Sequence, residues 1–508
     1  MNNSPAANPA HIRQIPFGAR VGAEHSQFDL TFRDPAGQLE LTDTHALRRI
    51  HPAATDETLA FLASPLRLAL EKSGFLIPSE IIPSEVNSSG EFDGTAELRL
   101  RHPRIEPISY PWEWTTGQWR AAAELTLRIA DQAIDAGWTL KDATPLNILF
   151  VGARPILVDV LSFERRDSHS SVWLAYGQFV RTFLLPLVAE RLLSWPLQAT
   201  IFARDGYEPS AIYAALRPWQ RLYPNLLDVV TLATLFERSS AKKHMPGRSP
   251  SASKTDPGLA KHILHKRTAR LGKQIRGAAR RKKSSQWSEY QTSASHYRPE
   301  DTEGKKEFIK SVLERCRPER VLDIGANTGP YSLMAAEAGA EVVALDSDAA
   351  AIESLWRSAA ERGQAVTALV ANIARPTPAV GWRNREQLSL LNRLAGKFDL
   401  VLMLAVIHHL ILREQLPLAH IGDLCASLTR RWLVVEWVPP SDSMYQEWLH
   451  GRDDLYGHFS EDDLTQALGP WFHVVDRTLL GNGRMLFLFE RCERESATDD
   501  AHSKSSPA

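Results

Sequence analysis

From about residue 286 onward, short apolar runs alternate with amphipathic stretches. The runs RVLDIG (320–325), EVVALD (341–346), AVTALVAN (365–372), FDLVLMLAV (398–406) and WLVVEW (432–437) are almost continuously apolar, which predicts strands covered on both faces. The intervening stretches around 330–338, 348–362 and 413–428 repeat apolar residues at three and four and predict helices. Strand and helix in that rhythm give a parallel α/β sheet. FSEDDLTQAL (459–468) predicts one more helix with Ser460 as its N-cap, and FHVVDRTLL and MLFLFER predict a closing strand pair at one sheet edge.

The first half reads differently. WTTGQWRAAAELTLRIADQAIDAG (114–137) and SVWLAYGQFVRTFLLPLVAERLLS (171–194) carry helical spacing, and ILFVGARPILVDVLSF (148–163) predicts two short strands joined by a glycine-containing turn. An α+β domain with a helical back follows. The polar, aperiodic ends at 1–20 and 493–508 predict flexible tails. Between them lie a first domain at 21–238, a basic connector at 239–285 and a second domain at 286–492, with no internal repeat.

The length of 508 residues, with 44% hydrophobic and 23% charged, suits a soluble multidomain protein. With 59 Lys and Arg against 60 Asp and Glu, the whole surface is no magnet for polyanions, but from Arg238 to Lys283 there are 15 basic residues against Asp256 alone. LAKHILHKRTARLGKQIRGAARRKK (259–283) predicts one basic helix carrying Leu259, Ile263, Leu264, Leu271 and Ile275. It is either a solvated linker helix or, within 242–283, a grip for RNA or another polyanion. Cys316, Cys425 and Cys492 are too few and too scattered for a disulfide framework, and neither a signal sequence nor a membrane span is evident. A cytoplasmic protein is expected.

The chemistry concentrates where the strands end. In VLDIGANTGPYS the backbone leaves a strand, turns at Gly325 and Gly329 and enters a helix near Pro330, a geometry that presents backbone amides to a ligand. Asp346 closes the next strand, 21 residues after Gly325, where a doubly wound sheet places an acid against ribose hydroxyls; it also fits as the cap of the helix near Asp348. Asn372 ends the third strand, and His408 and His409 follow the fourth at the crevice where such sheets bind ligands. The two histidines suit a general base or a simple strand-end cap. Glu436 suits either orientation of a substrate or a salt bridge to Arg430 or Arg431.

Asp323, Gly325, Asn327 and Gly329 resemble the acid-x-G-x-G-x-G motif of class I S-adenosylmethionine-dependent methyltransferases, with Asn327 in place of the middle glycine. Asn tolerates the left-handed backbone such a turn needs. The chain further resembles the bacterial methyltransferase-like group related to the host-specific nodulation protein: in Trp287, Tyr290 and Tyr297, in NTGPYS, in A-x-I-H-H-L, in EWVPPSD (436–442) and, in the first domain, in YPWEW (110–114) and KDATPLNILF…PILVDVLSFE (141–164). The resemblance implies a Rossmann-like seven-stranded methyltransferase sheet, S-adenosyl-L-methionine as cofactor and a methyl acceptor it does not name. It implies that Asp323, Gly325, Asn327, Gly329, Asp346 and Asn372 bind the donor, with Tyr297 and Tyr331 either closing over it or packing as aromatics. His408, His409 and Glu436 are then the candidates for acting on the acceptor. Methyl transfer by in-line displacement calls for no metal.

A second pattern lies in the first domain. Asp142, Asn147 and Asp159 resemble H-R-D-x-x-x-x-N followed by D-F-G in aminoglycoside phosphotransferase-like folds, although Leu140 replaces the His and Val160-Leu161 the Phe-Gly. A degenerate kinase-like lobe that aids recognition of substrate or partner, an active phosphotransferase and a plain turn all fit these residues. For the whole chain, an RNA methyltransferase using the basic connector and a noncatalytic S-adenosylmethionine-binding module stand beside the methyltransferase of another acceptor.

Overall fold

The computed structural model describes residues 33–82, 98–242, 255–279, 299–449 and 459–492. Both expected tails, part of the basic connector, and Trp287, Tyr290 and Tyr297 lie outside the described residues.

The second domain is organised by a seven-stranded sheet in the order β11-β10-β9-β12-β13-β15-β14. Its strands are β9 Arg320–Ile324, β10 Glu341–Asp346, β11 Val366–Val370, β12 Phe398–Met403, β13 Thr429–Trp437, β14 Phe472–Leu479 and β15 Met485–Arg491. The first five run parallel, and β14 and β15 close one edge antiparallel, with Val434 opposite Leu488. Apolar runs form these strands because both faces are buried: Leu322, Val401 and Val435 face one core, while Val321, Leu400 and Val434 face the other. Two runs end earlier than their apolar text. The fourth stops at Met403 because Ala405 takes φ +55°, turning the chain into helix Ile407–Leu412. The third stops at Val370, beyond which Asn372 turns the chain by accepting the Ala374 N–H on its side-chain oxygen.

The first domain opens with a four-stranded antiparallel sheet, order β1-β2-β4-β3 (β1 Gly37–Leu41, β2 His45–Ile50, β3 Glu80–Ile82, β4 Arg99–Pro103). Helices Pro52–Leu62 and Pro65–Lys72 are inserted between β2 and β3. Helix Thr116–Asp135 follows, capped reciprocally by Thr115 and Gln118. Next come two small ladders, β5 Trp138–Leu140 with β8 Phe163–Arg165 and β6 Ile148–Val151 with β7 Arg154–Leu157. The helix read at 171–194 starts at Tyr176 and passes through a π turn at Val180–Leu184, just before Pro186, whose missing N–H disturbs regular pairing.

The basic helix spans Pro257–Ala278 and packs along helix Thr116–Asp135, burying Leu264, Leu271 and Ile275 in the first domain's core and leaving Leu259 at the surface. Lys261 pairs with Asp135 (2.7 Å), His265 with Asp131 (2.6 Å) and Arg270 with Asp228 (2.8 Å). Much of its charge is therefore answered by acids of its own domain. Among the described residues no helix is long and apolar enough to cross a membrane.

YPWEW joins the two domains. Gln118 donates its side-chain amide to the carbonyl of Ala368 (2.9 Å), covering the exposed edge of β11. The N-terminal amide of Gly117 donates to Glu353 (2.8 Å), Leu388 N–H donates to the Tyr110 hydroxyl (3.0 Å), and Trp356 donates to the carbonyl of Ala153 (2.9 Å). Glu113, fully buried, is gripped by Arg393.

Candidate functional site

The sheet reverses direction of winding between β9 and β12, which leaves a crevice beyond their carboxyl ends. On one side of it stands the glycine turn. Gly325 (φ +75°) and Gly329 (φ +74°) are both left-handed, and so is Asn327 (φ +52°) between them. A side chain at Gly325 would collide with Val406 and one at Gly329 with Leu355, so the turn is pressed against both neighbours and admits no larger residue without rearrangement. Asp323 is buried beneath the turn and accepts a hydrogen bond from Ser332 (2.6 Å); burial pushes its carboxyl up to about 6.

Asp346, at the tip of β10, accepts the Asn327 N–H on one oxygen (2.9 Å) and the Asp348 N–H on the other (2.8 Å). Each carboxylate oxygen keeps a further lone pair, so the turn itself fixes a bidentate acceptor over the crevice. Capping of the following helix falls to Asp348, which accepts from Ala350 (2.8 Å). Asn372 sits at the end of β11 with its side-chain oxygen engaged by Ala374, leaving its amide donors.

The other side of the crevice is a buried charge network. Glu436, fully buried at the end of β13, binds Lys305 of helix Pro299–Cys316 and Arg484 at the start of β15 (3.2 Å); Arg484 also reaches Asp442 (2.8 Å). Burial alone would raise the Glu436 carboxyl, but the two cations outweigh it and hold it below the ordinary range. The salt bridge expected with Arg430 or Arg431 is not the one formed. Those residues lie at the other end of β13, five to six positions or about 17–20 Å away along a strand, and bond instead to the Gly396 carbonyl and to Glu490. Lys305 also stands 5.1 Å over the Tyr331 ring, so Tyr331 joins the glycine turn to this network.

The His408 and His409 rings lie against each other at the mouth of β12, centroids 4.2 Å apart and planes tilted by 36°. His408 is buried and its Nδ1 has no hydrogen-bond partner. Burial, reinforced by nearby cations, pushes His409 down to about 4 and His408 well below 6.5, so both are neutral near pH 7. A lowered folded pKa means the unfolded chain takes up more protons between about pH 6.5 and 4, so this contribution to stability falls as pH drops through that window. Asp323 acts in the opposite sense between about pH 6 and 4. His409→Gln should therefore flatten the acid loss of stability by up to about 1.4 kcal/mol per pH unit relative to the native protein. Unfolding free energies at pH 7, 6 and 5 check this, and identical slopes would contradict it.

The structure thus gathers Asp323, Gly325, Asn327, Gly329, Asp346 and Tyr331 on one wall and His408, His409 and Glu436 on the other, with Asn372 at the edge. Lys305, Arg484 and Asp442 were not singled out by sequence reasoning. Asp442 lay within EWVPPSD, but nothing local marks Lys305 in KKEF or Arg484 in GNGRM.

Residues 294–469 match the family model described as a methyltransferase domain. The second domain is a methyltransferase domain. The chain is 28% identical over 472 residues to the nodulation protein NoeA of Rhizobium meliloti (strain 1021), an alignment covering 91% of this chain and 96% of that one. Among solved structures it is similar to the N-methyltransferase NodS of Bradyrhizobium japonicum WM9 in complex with S-adenosyl-L-homocysteine (16% identity, 38% of this chain and 89% of that one, TM-score 0.30). Another is the magnesium protoporphyrin IX methyltransferase of Synechocystis PCC 6803 with bound S-adenosylmethionine (22% identity, 37% and 80%, TM-score 0.27). The methyltransferase's glycine turn fits its cofactor: the left-handed positions bring backbone close, and the Asp346 carboxylate keeps the two lone pairs a ribose diol requires.

In the first domain, Asp142, Asn147 and Asp159 form one hydrogen-bonded cluster. Asn147 donates to Asp142 (3.2 Å) and Ser162 (3.1 Å), Ser162 donates to Asp159 (2.5 Å), and Arg48 of β2 binds the other Asp159 oxygen (2.7 Å). Both Asp159 oxygens are occupied by the chain itself. Among the described residues no group of three or more His, Cys, Asp or Glu is placed to hold a metal.

Proposed function

We propose that the methyl donor lies on the Gly325–Gly329 turn, its ribose on Asp346 and its adenine beside Asn372, and that the acceptor enters across His409, His408 and Glu436. The observation that carries this reading is the doubly anchored Asp346 carboxylate facing, across the β9/β12 crevice, a buried charge network and two neutral imidazoles. S-adenosylmethionine supplies a methyl group on a sulfonium, poised for displacement. What remains for the chain is alignment, exclusion of water and removal of a proton. Lys305 and Arg484 hold Glu436 ionised where it can orient a hydroxyl or amine, and a neutral His409 can accept the proton that the acceptor gives up.

The first domain, in this proposal, helps select the acceptor. The relative from Rhizobium meliloti aligns across both domains, and YPWEW ties the first domain to the edge of the catalytic sheet, which supports the two acting as one unit. The internal pairing of Asp159 with Arg48 favours recognition over phosphoryl transfer. The acid partners of Lys261, His265 and Arg270 leave the basic helix a poor match for an RNA grip.

The test uses His409→Gln. Calorimetry should give S-adenosylmethionine binding within about threefold of native, while methyl transfer from labelled donor to fractionated cell-extract acceptors falls by about 10²-fold or more, the usual scale of a lost general base. Donor binding lost in His409→Gln would place the imidazole on the wrong side of the site. Binding of ATP with Mg²⁺ that depends on Asp159 would move the chemistry to the first domain, and donor binding without any acceptor would favour the noncatalytic module.

A further inference from the structure

Between Trp219 and Phe236 the first domain leaves an unusual amount of apolar surface in water. Trp219, Leu222, Tyr223, Leu232, Leu235 and Phe236 are 41–69% exposed, and the last three lie at i, i+3 and i+4 on one stripe of helix. A soluble surface tolerates scattered apolar residues, but six large ones within eighteen positions ask for a partner. The segment is packed as one unit: Thr231 donates its hydroxyl to the Arg221 carbonyl (2.5 Å), and Tyr213 is flanked by the guanidinium groups of Arg221 (4.3 Å) and Arg238 (5.4 Å).

Its charge is one-sided. Arg217 lies over the Trp219 ring (5.4 Å), and among the described residues Arg217, Arg221 and Arg238 have no ion-pair partner. Of the two acids in the segment, Asp228 is already taken by Arg270 (2.8 Å) and Gln274 (3.0 Å), leaving Glu237. Beside the patch, behind the turn at Tyr223–Leu226, is a cavity of about 160 Å³ lined by Leu184, Val188, Leu192 and Leu226 together with the polar Arg191, Asn225 and Gln274.

We propose that this face docks on a lipid bilayer carrying anionic phospholipids, with Trp219, Leu222, Leu235 and Phe236 entering the interface and the three arginines meeting headgroup phosphates. Aromatic and basic side chains around an apolar stripe are the composition of a membrane-interface anchor. A second copy of the chain fits less well. A two-fold contact centred on the patch brings the same three unpaired arginines of both copies together.

The test is co-sedimentation of the full chain with phosphatidylcholine vesicles, alone or with a third of phosphatidylglycerol. Binding is expected to the anionic vesicles, at least tenfold weaker in 0.5 M salt as surface charge is screened. Leu222→Ser with Phe236→Ser should weaken binding at least tenfold, whereas Leu68→Ser, an exposed leucine elsewhere, should not. All three proteins should bind S-adenosylmethionine alike, which shows that they are folded. The proposal is overturned if neither vesicle is bound, if binding survives Leu222→Ser with Phe236→Ser, or if sedimentation velocity shows a dimer that the same double variant abolishes.

Discussion

Asp346→Ala should weaken S-adenosylmethionine binding by roughly 10²- to 10⁴-fold in calorimetry. The expectation follows from counting hydrogen bonds. A carboxylate that accepts two hydroxyls of a ribose contributes about 1.5–3 kcal/mol for each bond to a charged group, and alanine removes both. The same substitution releases the Asn327 and Asp348 amides, so part of the loss comes through a looser glycine turn. Asp348→Ala is the control for the helix that follows. It removes the N-cap of helix Ala349–Arg362, at a cost of about 1 kcal/mol in stability, without touching the carboxylate over the crevice. Donor affinity in Asp348→Ala should stay within about threefold of native. If Asp346→Ala binds the donor as tightly as native, the ribose is held elsewhere and the donor side of the site is misassigned.

Asp346 was legible in the sequence because its surroundings are local in kind. An apolar run buried on both faces has one way to end in a parallel sheet, and an acid at that end, twenty-odd residues after a glycine turn, lands at the crevice whatever the rest of the chain does. The strands of the second domain were legible for the same reason, since burial on both faces writes itself as consecutive apolar letters. Lys305 and Arg484 were not. Each stands in ordinary helical or hairpin text, and the Glu436 that gives them meaning is 131 and 48 residues away. The spacing along β13 excludes Arg430 and Arg431 as partners once the residues are known to be in one extended strand. The basic helix was legible as a helix but not in its placement. Its positive charge reads as solvent-facing until the acids of helix Thr116–Asp135, more than a hundred residues earlier, are set beside it.

The joint between the domains was the least legible part of the protein, and it carries the other large expected effect. Glu113 and Arg393 are both buried and paired through two hydrogen bonds, with the Tyr110 N–H also donating to Glu113 (3.1 Å) and Arg393 also donating to the Ser389 carbonyl (3.3 Å). Arg393 donates twice to Glu113 and once to the Ile108 carbonyl, while Thr377 donates to Glu113 (2.6 Å). Two charges removed from water gain little net stability as a pair, but removing one strands the other. Glu113→Ala should therefore lose about 3–5 kcal/mol, with Arg393 left charged in an apolar setting beside Tyr110. Replacing both, Glu113→Leu with Arg393→Met, should recover most of that loss, since neither charge then remains to be desolvated. Urea unfolding followed by the fluorescence of the chain's 14 tryptophans, Trp112 and Trp114 beside Glu113 among them, measures these losses. If Glu113→Ala unfolds within about 0.5 kcal/mol of native, the pair is not what holds YPWEW to the catalytic sheet, and the hydrogen bonds of Tyr110, Gly117, Gln118 and Trp356 across the joint carry the contact. A loss that the double replacement restores would mean that its cost lies in stranding one buried charge, the pair itself adding little net stability to a joint whose two charged residues stand 280 residues apart in the chain.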